Sequence, residues 1–296
     1  MRPLLSIVIA NYNYGRFLET AILSVLRQES RDKLELIICD GGSTDNSVAI
    51  IKKYANGLPP NTPLAQDRLA LNANISWWCS EKDNGQSAAF NKGFRHAQGR
   101  FLTWLNADDV LMQGTVTALD RAVRRCPNCE WFTGNLLQFR DDTSEIISAP
   151  WGPHILPAFI QTFTSPLVIF GPTTFWSASA YMKIGPIDEE LHYSMDTDYW
   201  LRMMKAGYRQ RRLNHCCWAF RMHAESKTAQ YDGHEIDKKI ENKWYEELRI
   251  VTSRWNYRCS RMKRYIAYAF RALDGSAFIA LWRRLFVVGR QLCINY

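Results

Sequence analysis

Short apolar runs alternate with segments of helical periodicity along the first third of the chain. The runs Leu4 to Ala10, Leu34 to Cys39, Ile75 to Trp78 and Phe101 to Leu105 have the length and apolar content of buried strands. Helical spacing recurs between them at Phe17 to Arg27, Asp45 to Tyr54 and Gln86 to Ala97. Such alternation is typical of βαβ units with right-handed crossovers, so it predicts a mostly parallel sheet flanked by helices.

The pattern becomes less regular after Leu105. We expect a helix at Thr115 to Arg125, one or two strands at Trp131 to Phe139, a helix at Asp196 to Ala206 and a strand at Cys216 to Met222. The segments Asn56 to Asn74 and Pro150 to Pro172 are predicted to be an insertion and a loop region. A chain of 296 residues suits one large α/β domain with an appendage, so we divide it into residues 1–234 and a helical, aromatic and basic extension at 235–296.

The net charge of +8 favours an anionic partner: nucleic acid, a phosphorylated substrate or an acidic membrane surface. Much of the basic excess lies late in the chain, at Arg209, Arg211, Arg212, Arg254, Arg258, Arg261, Lys263, Arg264, Arg271, Arg283, Arg284 and Arg290. Aromatic residues lie among these cations, which suits an anionic membrane interface, helices that pack with a solvated basic face, or a dimer interface. No stretch of about 20 apolar residues is present to span a membrane.

The eight cysteines are interpreted as reduced thiols of a cytosolic protein, because the chain is long and starts directly with a strand-like run. Cys126 and Cys129 form a C-x-x-C pair without a second pair at zinc-ribbon spacing. We therefore expect a turn after a helix there, and not a zinc site.

Polar residues follow the predicted strands, and in an open parallel sheet ligands bind beyond the carboxyl ends of the strands. These residues are Asn11, Tyr12 and Asn13 after the first strand, Asp40 to Asp45 after the second, and Asn106 to Asp109 after the fourth. Neither G-x-G-x-x-G nor G-x-x-x-x-G-K-[ST] is present, which excludes a dinucleotide fold and a P-loop. Carboxylates there can bind a base or ribose, and paired aspartates can hold a cation on phosphate oxygens, so the pattern indicates nucleotide diphosphate binding.

These residues resemble the family-two glycosyltransferases with a GT-A fold. The resemblance covers Ser6 to about Thr228 and rests on S-I-V-I-A-N-Y-N, D-G-G-S-T-D-N-S, S-E-K-D-N-G-Q-S-A-A-F-N-K-G-F, W-L-N-A-D-D and M-D-T-D-Y-W-L-R. Each motif alone is weak, but together, in this order and spacing, they are specific. The resemblance implies a nucleotide-binding half at 1–112 and an acceptor half at 113–234.

By that resemblance, Tyr12 lies against the nucleotide base and Asp40 binds the edge of the base, with Asp83 and Lys92 near the nucleotide. From the residues alone, Asp40 is equally well a turn former before Gly41, and Tyr12 a core aromatic. The family often has a second acid where Gly41 stands.

The resemblance also places Asn106, Ala107 and Asp108 at the metal-binding D-x-D motif of the family, with Asn in place of the first acid. It implies that Asp108 is a direct ligand of Mg²⁺ or Mn²⁺, that Asp109 is a supporter or second ligand, and that Asn106 lies at the nucleotide. His223 is a candidate third ligand, or a structural histidine, and Arg221 or Lys227 a candidate phosphate partner. The alternative for the Asp pair is capping of the next segment.

In the family, the acid at the position of Asp196 is the catalytic base, which takes the proton of the acceptor hydroxyl as that oxygen attacks the anomeric carbon. Capping of the helix that starts there is the alternative interpretation of Asp196 and Asp198. Trp200 lies one helical turn after Asp196 and is a candidate acceptor-stacking residue, or else a core tryptophan, and Asp198 is a second candidate at the acceptor.

The resemblance thus implies a cation-dependent, inverting glycosyltransferase that uses a nucleotide sugar, with UDP favoured, and a glycan or lipid-linked acceptor. Alternatives are a sugar-nucleotide nucleotidyltransferase, which usually has a Gly-rich basic loop after its first strand, and a catalytically silent sugar-nucleotide binder. We expect no nucleic acid partner, because the basic aromatic tail alone is poor evidence for base recognition. The expected location is the cytoplasm, including the inner face of the cell membrane, and a homodimer is compatible with the tail.

Overall fold

The computed structural model describes residues 2–55, 75–149, 171–226, 238–254, 278, 281–282 and 285–292. The predicted insertion at 56–74, nearly all of the predicted loop region at 150–172, the candidate Lys227 and much of the extension lie outside these residues. No helix of the described part is long and apolar enough to cross a membrane.

The first half of the chain follows the predicted alternation. In order it contains β1 (Leu5–Asn11), α1 (Gly15–Leu26), β2 (Leu34–Asp40), α2 (Ser47–Ala55), β3 (Trp77–Ser80), α3 (Gln86–His96) and β4 (Phe101–Asn106). Every residue of β1 except Ala10 is buried, as expected of a central strand in a sheet that is covered on both faces.

The second half adds five strands and four further helices within the described residues. It contains β5 (Val110–Leu111), α4 (Thr115–Arg125), β6 (Trp131–Arg140), β7 (Ile146–Ser148), β8 (Thr174–Ser177), α5 (Ala178–Ile184), α6 (Met195–Lys205) and β9 (Arg211–Met222), and α7 (Lys238–Arg254) follows.

The strands form one sheet in the order β3-β2-β1-β4-β8-β6-β9-β5, with β7 paired to β6. Strands β3, β2, β1 and β4 are parallel to one another, and β6 is parallel to β9. Strand β8 joins the two groups and is antiparallel to both β4 and β6. The predicted α/β fold with a mostly parallel sheet is confirmed.

Apolar side chains are buried on both faces of the sheet. One cluster includes Ile7 and Ile9 of β1 together with residues of α1, α2 and α4, and the other includes Val8 of β1 with residues of α3 and α6. Helix α3 approaches β1 so closely that a Cβ on Gly93 would lie 2.3 Å from a methyl carbon of Val8. A glycine is therefore required at that position for the helix to pack on the strand.

The interpretation of all eight cysteines as reduced thiols is wrong for one pair. Cys126 and Cys129 form a disulfide, while Cys39, Cys79, Cys216 and Cys217 are free. The expected turn after α4 is present, since the Cys129 N–H donates to the carbonyl of Cys126. This turn brings the two Cα atoms to 5.4 Å, which is within the range that a disulfide spans.

Candidate active site

A cavity of about 780 Å³ opens beyond the carboxyl ends of β1, β2 and β4. The same walls also carry residues of α3 and of the segment that enters α6. The lining includes Asn11, Tyr12, Tyr14, Gly41, Gly42, Lys82, Asp83, Gly85, Gln86, Trp104, Asn106, Asp108, His192, Tyr193, Met195, Asp196, Phe220 and Ser226. The cavity thus lies where the topology of a parallel sheet predicts a ligand site.

Tyr12 is 59% exposed and forms part of the cavity wall, so the core alternative for this residue is wrong. Asp40 is fully buried and does not line the cavity. Its carboxylate accepts hydrogen bonds from Asn11 Nδ2 (2.6 Å), Ser80 Oγ (2.6 Å) and the backbone and side chain of Ser43. Burial alone would raise the pKa of Asp40, but these donors outweigh it and hold the pKa below its usual value.

Asp40 therefore stabilises the turn that follows β2, which was the alternative to a role at the base. The carboxylate that lines the cavity beside Gly41 belongs to Asp83. Asp83 Oδ1 accepts a hydrogen bond from the Gly85 N–H at 2.9 Å. Both carboxylate oxygens of Asp83 lie 3.2 Å from the point that a Cβ on Gly41 would occupy. The carboxylate of Asp83 thus fills the space where a larger residue at 41 would place its side chain.

Lys92, which was predicted to lie near the nucleotide, does not line the cavity. Its ammonium pairs with Glu81 Oε1 at 2.9 Å, and this hydrogen bond raises the pKa of Lys92 although burial opposes it. The cation that does line the cavity here is Lys82, which the sequence motifs did not single out.

Asp109 is buried at the end of β4 and is not a cavity residue, so the prediction that it is a direct metal ligand is corrected to a supporting role. Its two oxygens accept from the Arg221 N–H (2.9 Å) and from Asn106 Nδ2 (2.8 Å). Burial and the charge of Asp108 raise the pKa of Asp109 well above its usual value. An acid at 106 would place a second carboxylate against Asp109, which is a physical reason for the Asn at that position.

Asn106 connects Asp109 to the opposite wall of the cavity. Asn106 Oδ1 accepts from Gln86 Nε2 of α3 at 2.9 Å, so both amide atoms of Asn106 are engaged in a polar chain. Gln86 was quoted within the third motif but not assigned a role, and its position at the first residue of α3 is the signal that could have identified it.

Asp108 lines the cavity and pairs with His223, which does not line it. Asp108 Oδ2 and His223 Nε2 are 3.1 Å apart, and both side chains are largely buried. The His223 ring packs against Phe17 and Tyr14, with ring centroids 4.5 and 5.8 Å away. Burial and the nearby charges of Asp108, Glu225 and Asp109 raise the pKa of Tyr14 to about 12, so this cavity residue stays a neutral hydroxyl.

The pair fits a divalent cation. Two neighbouring ligands of an octahedral ion with bonds of about 2.1 Å are about 3 Å apart, which matches the observed separation. Within the described residues, no group of three or more His, Cys, Asp and Glu side chains could enclose a metal. A cation held here would need further ligands from a substrate, as is usual for Mg²⁺ at phosphate sites.

Arg221 braces this pair from behind and does not line the cavity as a phosphate partner. Its Nε donates to the Asp108 carbonyl at 2.7 Å and its Nη1 to Asp141 Oδ1 at 2.7 Å. The guanidinium also lies over the rings of Phe17 and Phe139. It therefore fixes the backbone that carries Asp108.

Asp196 lines the cavity from the first turn of α6. Its Oδ1 accepts from the backbone N–H of Thr197 at 2.6 Å and from the Thr197 hydroxyl at 3.3 Å. Burial raises the pKa of Asp196 above its usual value, although these bonds oppose the shift. A carboxylate in this position is a stronger base than an exposed one.

Asp198 and Trp200 do not reach the cavity, so their predicted roles at an acceptor are wrong in this structure. Asp198 is 1% exposed and pairs with Arg202 (2.9 Å) and Arg254 (3.5 Å). Trp200 is fully buried and stacks on Trp104 with ring centroids 5.5 Å apart. The core alternative for Trp200 is therefore the right one.

The sequence of this chain is similar to those of known glycosyltransferases. Residues 6–132 match the model of Glycosyl transferase family 2. Among curated relatives, TuaG of Bacillus subtilis, a glycosyltransferase named for teichuronic acid biosynthesis, is 26% identical over 226 residues, which cover 75% of this chain and 80% of TuaG. Two other curated glycosyltransferases match at 39% and 35% identity, but the chain spans only 28% and 38% of their lengths.

Solved structures show the same fold. TarS 1–349 of S. aureus in complex with UDP-GlcNAc superimposes with a TM-score of 0.59 at 15% identity, over 86% of this chain and 66% of that one. The mannosyltransferase PcManGT of Pyrobaculum calidifontis in complex with GDP-Man and Mn²⁺ gives a TM-score of 0.55 at 13% identity, over 97% and 88%. At these identities the likeness shows the GT-A fold alone.

Proposed function

Because residues 6–132 match the model of Glycosyl transferase family 2, we propose that this chain moves a sugar from a nucleotide diphosphate donor to an acceptor hydroxyl with inversion of configuration. The observation that carries this proposal is a cavity that is lined by both Asp108, which pairs with the buried His223, and Asp196. The Asp108 pair suits a diphosphate, and Asp196 supplies a base for the attacking hydroxyl.

The nucleoside lies at the β3 side of the cavity. Asp83 follows β3 and Asp108 follows β4, and these strands are three positions apart in the sheet, or about 14 Å at the usual strand spacing. A donor with its diphosphate at Asp108 therefore places its base near Tyr12 and Asp83. The Tyr12 ring offers a stacking surface, and the Asp83 carboxylate accepts a base N–H, which favours uracil over bases without a ring N–H.

Asp108 and His223 would hold Mn²⁺ or Mg²⁺ at the diphosphate. The cation supplies charge that offsets the leaving nucleoside diphosphate. The protein adds rigidity, since Arg221 fixes the Asp108 backbone and Asp109 fixes Asn106. The proposed protein ligands of the cation are thus Asp108 and His223 alone, and Asp109 holds Asn106 instead of binding the metal.

Asp196 acts on the acceptor. Its carboxylate takes the hydroxyl proton while the acceptor oxygen forms a bond to the anomeric carbon. The bond from that carbon to the phosphate oxygen breaks, and the nucleoside diphosphate leaves with the electron pair. A single displacement from the face opposite the leaving group inverts the configuration.

The acceptor is proposed to be a glycan or lipid-linked glycan at an anionic membrane surface. Five apolar side chains near the C-terminus, Phe278, Leu281, Trp282, Leu285 and Phe286, are 49–72% exposed and recur at helical spacing. We call these five residues the apolar face. Residues 255–296 carry eight Lys and Arg against one Asp, which accounts for +7 of the net charge of +8.

This combination favours lipid over a second copy of the chain, because two such segments would repel each other whereas an anionic bilayer attracts them. Backbone hydrogen bonds anchor the residues that come directly after the apolar face. The Ile146 N–H donates to the Arg290 carbonyl, and the N–H groups of Gly289 and Leu292 donate to the carbonyls of Ile146 and Ser144, all at 2.7 Å.

Flotation of the Leu281→Gln/Leu285→Gln variant with anionic vesicles tests whether the apolar face binds lipid. Loss of binding supports it, and unchanged binding, or a dimer that the variant dissociates, contradicts it. Met182→Gln, at an 80% exposed position, is the matched control.

A donor panel tests the proposed reaction. The purified chain is heated with Mn²⁺ and UDP-, GDP-, ADP- and CDP-sugars, because a ligand that binds only the native state raises the melting temperature. We expect the largest rise with a UDP-sugar. That donor should then yield an inverted glycoside with a suitable glycan acceptor, whereas no shift with any donor, or a retained anomeric configuration, would contradict the proposal.

A further inference from the structure

Helix α7 holds the loop that leads into α6. The carboxylate of Glu247, in the middle of α7, accepts three consecutive backbone N–H groups. The distances are 3.1 Å from His192 to Oε1, and 2.7 Å from Tyr193 and 3.1 Å from Ser194 to Oε2. The same loop lines the cavity through His192 and Tyr193.

These bonds hold the segment that enters α6, and the last of them is donated by the N-cap residue of that helix. Its N-cap residue, Ser194, makes no capping hydrogen bond with its own side chain. The free N–H groups at a helix start need acceptors, and a negative charge there also interacts favourably with the helix dipole. Glu247 places a negative charge at this helix start from another helix and accepts the Ser194 N–H, while Asp196 Oδ1, a predicted cap, accepts the Thr197 N–H within the first turn.

Glu247 is itself firmly placed. It is only 6% exposed, and Val251, one turn later in α7, is fully buried in the core cluster that contains Leu191 and Met195. At the end of α7, Arg254 pairs with Asp188 at 2.7 Å. The carboxylate is therefore a rigid support and not a surface contact.

We propose that Glu247 is a positioning residue for the transfer reaction, which fixes the first turn of α6 so that Asp196 faces the acceptor. This inference rests on the proposed function of Asp196. It makes α7, which was predicted to belong to an appended extension, a structural part of the active site.

Glu247→Gln is the informative variant. An amide offers one acceptor oxygen and turns an NH₂ group toward N–H donors, so the loop loses part of its support. Glu246→Gln changes the neighbouring, exposed residue of the same helix in the same chemical way and is the matched control. We expect kcat to fall about 10- to 100-fold in Glu247→Gln, with UDP affinity within twofold of the parent, because a misplacement of about 1 Å has such an effect.

The contact is measured separately from activity by hydrogen exchange of the 191–196 segment in the intact 296-residue chain. We expect the amides of 192–194 to lose protection in Glu247→Gln and to keep it in Glu246→Gln. In addition, the acidic limb of the pH profile should move to lower pH in Glu247→Gln. Burial raises the pKa of Asp196, and this pKa falls when Asp196 becomes more exposed to water.

Two outcomes would overturn the proposal: unchanged protection of 192–194 in Glu247→Gln, or lost protection with full kcat. If the parent itself transfers no sugar, the proposed function fails, but the exchange result still decides whether Glu247 holds the loop. The two failures are therefore distinguishable.

Discussion

Removal of the Asp108 carboxylate should change UDP affinity in opposite directions with and without a divalent cation. In the structure Asp108 Oδ2 is 3.1 Å from His223 Nε2, and the two side chains are the proposed protein ligands. Asp108→Ala leaves only His223. Loss of an outer-shell partner alone costs a metal site 10- to 100-fold in affinity, so loss of a direct carboxylate ligand should weaken UDP binding in Mn²⁺ by about 100-fold or more.

Without a cation we expect Asp108→Ala to have the opposite effect on UDP affinity. A carboxylate beside the bound diphosphate repels it, because like charges that lie close together in a partly buried site interact strongly. In chelator, Asp108→Ala should therefore bind UDP at least as tightly as the parent. Isothermal titration calorimetry of both proteins, in Mn²⁺ and in chelator, gives the four affinities.

The reasoning would be refuted by equal UDP affinity of the parent in Mn²⁺ and in chelator. It would also be refuted if Asp108→Ala weakened binding by the same factor in both conditions, because the carboxylate would then act without a metal. His223→Ala should show a smaller loss in Mn²⁺ than Asp108→Ala, since a neutral ligand is removed.

Three further outcomes are expected. Asp198→Asn should lower the free energy of unfolding by about 2 to 3 kcal/mol in urea titrations and leave UDP affinity unchanged. The loss is smaller than for a fully buried ion pair, because Arg202 still donates to the carbonyls of Ile184 and Pro186. Asp83→Ala should weaken UDP binding about 10-fold or more, the scale of a hydrogen bond to a charged group, whereas Glu81→Gln should not. The raised pKa of Asp196 should place the acidic limb of kcat/KM above the usual aspartate range of about 4, because the base must be ionised to accept a proton. A limb at or below that range would contradict the assignment.

The longer strands and helices could be predicted from the sequence, because periodicity reports burial and each of these elements buries one face or both. Helix α4 was predicted with its observed bounds, Thr115 to Arg125. Strands β5, β7 and β8 were not predicted, since they are two to four residues long and their pairing is decided by distant partners. A run of two residues carries no detectable period.

The site was predicted at the correct edge of the sheet, but the sequence did not show which acids face the cavity. Asp40 and Asp83 both follow strands, and only the hydrogen bonds of Asn11, Ser43 and Ser80 show that Asp40 is turned inward. Asp109 is likewise adjacent to Asp108 in sequence and points away from the cavity. Side-chain direction at a strand end depends on contacts that the linear pattern does not contain.

Helical spacing was misleading for Trp200. One turn after Asp196 places it on the same side of α6, but only the first turn of this helix reaches the cavity. The remainder enters the core, where Trp200 lies among Trp104, Trp131 and Trp176. Glu247 was missed for a similar reason, because nothing distinguishes it in sequence from the other two glutamates of α7, and backbone groups more than 50 residues earlier bind it.

The most direct test of the proposed function is the single-turnover rate of sugar transfer by Asp196→Asn, measured beside its affinity for UDP. The amide is nearly isosteric but cannot accept the acceptor proton at neutral pH. We predict a rate at least about 10²-fold below that of the parent, the usual scale for loss of a general base, with UDP affinity within twofold. Transfer at the parental rate would contradict the account and would show that another group takes the acceptor proton.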